Sequence, residues 1–187
     1  MKAQDTAELF FTDVKVPKEN LLGDPSKAMG YLMQGLAEER LIGAVGYLAM
    51  AHKAMDITVE FAKQRRLFGK ALCEFQNTQF KLAELQAELD IQQVYIDQAV
   101  AAFNEDAFTA VDAAKAKLAT RELLCRVVDE CLQQHGGAGY MNEYPIARLY
   151  ADAGVTRIYA GSSEVMKLII SRDMFQGDAI PFNEKNL

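Results

Sequence analysis

"LAEERLIGAVGYLAMAHKAMDITVEF", residues 36–61, decides the fold. Leu36, Arg40, Gly43, Tyr47, Met50, Ala54, Ile57 and Phe61 recur every three or four residues. That is the period of one face of an α-helix. No proline interrupts the run, so the spacing predicts one long helix ending near Arg66, with Gly69 in the turn that follows. Asp24-Pro25 supplies a cap followed by proline at the first helical position.

The same period continues downstream. Leu82, Leu85, Leu89, Ile96, Val100 and Phe103 stripe a second helix over about 75–103. Val111, Ala114, Leu118, Cys125, Val128, Leu132 and His135 stripe a third over about 108–135. A short helical turn near 144–153 and a last helix near 163–176 follow. Short links between long helices imply antiparallel neighbours. The expected fold is all-α: an antiparallel four-helix bundle over 24–177. Residues 6–17, "TAELFFTDVKVP", read differently: Val14 and Val16 alternate with polar residues and Pro17 stops the run. A lone strand is unstable. Residues 1–23 are therefore read as the exit strand and linker of a β-domain outside this sequence, and 178–187 as a flexible tail.

Composition narrows the function. Half of the 187 residues are hydrophobic, a quarter are charged, and the net charge is −6. A nucleic-acid binder needs a basic face, so that class is disfavoured. No apolar run is long enough to span a bilayer, and the N-terminus lacks a signal-peptide core. Cys73, Cys125 and Cys131 are odd in number and lack zinc-like spacing. They read as reduced thiols, with no metal expected, in the cytoplasm or, in a eukaryote, the mitochondrial matrix.

Four motifs in order then carry a resemblance: "LAEERLIGAVG" (36–46), "RRLFGKALCEFQNTQFKLAEL" (65–85), "QQHGGAGYMNEYPIARLYADA" (133–153) and "IYAGSSE" (158–164). Together they resemble the C-terminal helical domain of acyl-CoA dehydrogenases, over about residues 6–176. The resemblance implies FAD as cofactor, an acyl-CoA substrate, α,β-dehydrogenation to the trans-2-enoyl-CoA, a homodimer or homotetramer, and an electron-transferring flavoprotein as redox partner.

The resemblance also implies site residues. In most of the family a glutamate stands where this chain has Ala160. In the long-chain and isovaleryl branch that glutamate instead precedes an arginine in the long helix, where this chain has Glu39-Arg40. Glu39 is therefore the expected α-proton base, and the branch suggests a long or branched acyl group. Glu39 shares a helix face with Gly43 and Gly46. A carboxylate in an apolar slot made by such small residues would have a raised pKa, which suits a general base. Arg40, Tyr31 and Gly161 are the expected substrate contacts. Arg65, Phe68, Gln76, Gln133, Gly136, Gly137, Ser162, Ser163 and Glu164 are the expected flavin contacts. Residues 162–164 are also expected to cap the last helix, and His135 is read as a packed histidine. Two alternatives are a non-catalytic, self-associating helical module, and oxidase chemistry in which oxygen reoxidises the flavin.

Overall fold

The structure is a computed structural model that describes residues 6–176. Five α-helices form among them: α1 (Ala28–Gln64), α2 (Gln76–Asn104), α3 (Ala110–His135), α4 (Pro145–Val155) and α5 (Ser163–Gln176). Between α1 and α2 lies a two-residue-per-strand hairpin of β1 (Arg66–Leu67) and β2 (Lys70–Ala71), paired antiparallel. The expected helices therefore form within a few residues of their anticipated limits. The expected tail at 178–187 lies outside the described residues.

Cross-helix contacts give the directions. Thr78 at the start of α2 bonds Gln134 at the end of α3 (3.0 Å), Lys81 bonds Glu130 (2.5 Å), and Glu88 pairs with Arg126. As position rises along α2 it falls along α3, so the two are antiparallel. Met55 meets Cys131 and Phe61 stacks on His135, while Tyr47 lies near Arg121. Position rises together there, so α1 and α3 are parallel and the three long helices run up, down, up.

Local chemistry sets the ends. Asp24 accepts from the Ser26 N–H (2.9 Å), but Pro25–Lys27 is a 3-10 turn, and α1 proper starts at Ala28. Thr109 and Asp112 cap α3 reciprocally. Gly136 ends α3 with φ +57° and ψ −138°, a backbone open essentially to glycine alone.

The core lies where α1 and α3 meet. On α1 its centre is Leu41, Ala44, Leu48, Ala51, Met55 and Ala62. This line sits one residue beyond the stripe expected from sequence. Arg40, Tyr47 and Ala54 of that stripe are buried, whereas Gly43, Met50, Ile57 and Phe61 are only partly so. A helix packed against several neighbours buries more than one stripe, and periodicity alone does not rank them. Residues 6–17 carry no strand here, and the only ladder among the described residues is the β1–β2 hairpin; the sequence reading placed their pairing partner in a β-domain outside this sequence. Strand geometry needs a pairing partner, and no described residue pairs with 6–17. Leu9, Phe10, Phe11, Val14 and Val16 stand exposed.

Candidate functional site

The segment leading into α5 makes an unusual turn. Ala160 has φ +52° and Gly161 φ +92°. A non-glycine residue in the left-handed region must be held there. Two cations of α3 hold it. The Lys117 ammonium donates to the carbonyls of Tyr159 (2.6 Å), Ala160 (2.7 Å) and Gly161 (3.1 Å). The Arg121 guanidinium donates to the Gly161 carbonyl at 2.9 Å and to the Thr156 carbonyl at 3.4 Å. Both side chains are fully buried. Burial, then Arg121 and Arg40, push the Lys117 amine down to about 8. Tyr47 and Tyr159 pack tilted at 6.2 Å beside them, and burial raises the Tyr47 phenol.

Sequence reading passed over Lys117 and Arg121. A signal was there: with Ala114, Leu124 and Val128 they keep the spacing of the apolar face of α3. Charges at core spacing need a buried partner, and here the partner is a turn. A Cβ on Gly161 would lie 2.9 Å from the Met166 Cε as well as demanding φ +92°. Gly161→Ala is therefore expected to cost about 1–3 kcal/mol of strain, read as a lower midpoint of thermal unfolding.

Glu39 and Arg40 diverge, as adjacent helical residues do. Arg40 points inward, is 7 % exposed, and places a guanidinium nitrogen 3.9 Å from where a Gly161 Cβ would lie. Burial lowers its pKa, and its Nε has no hydrogen-bond partner. Glu39 is exposed. The expected apolar slot around it is not closed by the described residues, because none of their elements covers that face of α1. Leu32 and Ile42, on the same face, are also exposed. Of the two glycines expected to leave room there, Gly46 is open, whereas the Tyr47 hydroxyl would lie 3.1 Å from a Cβ on Gly43. Tyr31 is engaged at the start of α1: its hydroxyl accepts from the Asp24 N–H (3.0 Å), and its ring crowds Gly23.

The expected flavin residues mostly converge. Arg65, Phe68, Gln133, Gly136 and Gly137, drawn from two distant segments, line one groove of about 630 Å³. Thr78, Lys81 and Gln134, not anticipated from sequence, line it too. Phe68 and Gly69 form the hairpin's two-residue turn, both at positive φ, and the Phe68 ring projects with 96 % of its surface exposed. Nothing lies within 4 Å of a Cβ on Gly136 or Gly137, so their backbone is open to a ligand. Gln76, at the start of α2, is exposed and outside the groove lining.

At the start of α5, Ser162 caps the helix by accepting from the Val165 N–H (3.4 Å). Ser163 is buried, and its hydroxyl donates to Glu122 (2.6 Å), which also receives Arg157 (2.6 Å). That hydroxyl is thereby committed within the chain. Ser162, Ser163 and Glu164 border a shallow pocket separate from the groove. Among the described residues no cluster of three or more His, Cys, Asp or Glu side chains is placed to hold a metal, and no helix is long and apolar enough to cross a membrane.

Known proteins match this arrangement. The family profile described as acyl-CoA dehydrogenase, C-terminal domain, matches residues 29–175. The mitochondrial long-chain specific acyl-CoA dehydrogenase of Mus musculus is 42 % identical over 174 residues, covering 93 % of this chain and 40 % of that protein. The crystal structure of an acyl-CoA dehydrogenase from Geobacillus kaustophilus superposes with TM-score 0.86 at 41 % identity, over 89 % of this chain and 44 % of the other. An acyl-CoA dehydrogenase from Bacillus anthracis, solved in complex with FAD, superposes with TM-score 0.82 at 29 % identity, over 90 % of this chain and 33 % of the other. The chain thus spans well under half the length of these relatives. Profile, sequence and fold agree: this chain belongs to the acyl-CoA dehydrogenase family, and its residues 29–175 are the family's C-terminal domain.

Proposed function

We propose that this chain supplies the helical part of an FAD-dependent acyl-CoA dehydrogenase and carries its α-proton base, Glu39. The observation that carries the reading is the groove: residues expected to touch flavin, from segments at the ends of α1 and α3, line a single concavity. A planar arginine fork suits a pyrophosphate, and the open backbone of Gly136 and Gly137 admits close approach. These residues fit the cofactor. When bound, FAD accepts the hydride from the β-carbon of the acyl thioester.

The chain's own part is positioning and proton removal. Glu39, on the uncovered face of α1, takes the α-proton, while Ala160 leaves the loop position without a competing carboxylate. Arg40, the neighbour of Glu39 on α1, supplies positive charge beside the Gly161 turn. The substrate is an acyl-CoA of long or branched chain, and the product is the trans-2-enoyl-CoA. The exposed Phe80, Ile91 and Val94 of α2 fit a homodimer or homotetramer, in which the hairpin's Phe68 reaches a neighbour's flavin. An electron-transferring flavoprotein is the proposed acceptor.

The test uses the polypeptide carrying this domain. Arg65→Met is expected to weaken FAD binding about 10- to 100-fold, the loss of one charge-assisted hydrogen-bond donor set. Titration followed by quenching of flavin fluorescence reads it. Unchanged affinity would remove Arg65 from the site and with it the main support for the groove.

A further inference from the structure

The buried cations behind the Ala160–Gly161 turn do more than fill space. An apolar side chain at 117 or 121 would pack as well without the desolvation cost of a charge. Instead α3 places an ammonium and a guanidinium side by side, both fully buried, with Arg40 nearby. Arg121 Nε and Nη2 have no hydrogen-bond partner. The groups around the pair are Arg40 and Tyr47 of α1, Tyr159 of the turn, Glu122 of α3, Arg157, and Glu164 of α5. Glu122 is already shared by Arg157 and Ser163. The main acceptors left to the pair are the carbonyls of the turn.

In a trans peptide the C=O and the following N–H point in opposite directions. Holding the carbonyls of Tyr159, Ala160 and Gly161 against Lys117 therefore turns the N–H groups of Ala160, Gly161 and Ser162 away from it. Among the described residues none of these three N–H groups donates a backbone hydrogen bond.

We propose that Lys117 and Arg121 are positioning residues for the site: by gripping the three carbonyls they fix the turn's left-handed backbone and the outward orientation of its N–H groups. The proposal rests on the turn belonging to the acyl-CoA site, as read above. Lys117 provides three donors to three carbonyls only while protonated. Above its titration near 8 the neutral amine has two N–H bonds and a lone pair, so one carbonyl loses its donor.

The experiment is NMR on the chain, without flavin or acyl-CoA, following the carbonyl 13C shifts of residues 159–161 and the Lys117 side chain from about pH 6.5 to about 9.5, a window that brackets the Lys117 midpoint of about 8. The expected result is that all three carbonyls move together with the midpoint of Lys117. Lys117→Met should displace them and abolish the titration while α1 and α2 core signals stay put. Lys117→Arg, a permanent cation, should restore the displaced positions without the titration. Flat carbonyl shifts while Lys117 titrates would overturn the proposal, and so would a Lys117→Met spectrum unchanged in the turn. If Lys117→Met does not fold, the wild-type titration alone decides. Because no ligand is present, failure here leaves the acyl-CoA reading untouched, and failure of that reading leaves the carbonyl grip in place.

Discussion

Glu39→Gln is expected to slow the bleaching of bound flavin by acyl-CoA by about 10²–10⁴-fold, the usual contribution of a positioned general base. The amide keeps the size of the carboxylate and most of its hydrogen-bonding capacity, but it cannot take the α-proton. Glu39 is exposed and lies outside the core, so the substitution should leave the thermal midpoint within the small range of ordinary surface changes. Affinity for acyl-CoA should change little, because the effect falls on the chemical step. Stopped-flow absorbance under anaerobic conditions separates the two. Wash-in of solvent deuterium at the α-carbon should fall in parallel, because the proposed base is also the group that would perform that exchange. A near-normal rate would transfer the base role elsewhere, and Ala160 offers no candidate in the loop.

The second large effect is on stability. Leu124→Ala is expected to cost about 2–5 kcal/mol. Leu124 has no exposed surface and sits in the central cluster with Leu48, Leu89 and Val128. Its helix packs against α1, α2, α4 and α5 at once, so no single neighbour can collapse into the void without leaving another. For a domain of this size each kcal/mol lowers the midpoint by about 2–4 °C. A calorimetric scan should therefore show a fall of several degrees or more. Leu123→Ala, one residue away and also buried, gives a second reading of the same core. A loss below about 1 kcal/mol would mean the α1–α3 contact is looser than the packing described here.

The helices were legible because their signals are local. Apolar spacing at three and four residues, Asp24-Pro25, and Gly136 are each read within one turn of chain. The groove was legible only through resemblance: no local rule relates Arg65 to Gln133, and their convergence depends on how α1 and α3 align. Residues 6–17 show what alternation can and cannot say: it records a face, whereas a ladder needs a partner at a distance, and the partner expected for them belongs to a β-domain outside this sequence. Lys117 and Arg121 escaped notice for a related reason. Their spacing placed them in the core, but what satisfies them is the backbone of a turn some forty positions away, and a backbone carbonyl leaves no mark in the sequence. Glu39 shows the opposite limit. Its helix position was evident, yet the apolar surroundings expected for it are not supplied by the residues described.

The most direct test of the account is the visible absorption spectrum of the polypeptide carrying this domain, reconstituted with FAD and recorded anaerobically before and after a long-chain acyl-CoA is added. The account predicts a bound-flavin band that bleaches on addition and persists in Glu39→Gln. A bound-flavin band that stays oxidised across acyl-CoAs of every chain length would contradict it.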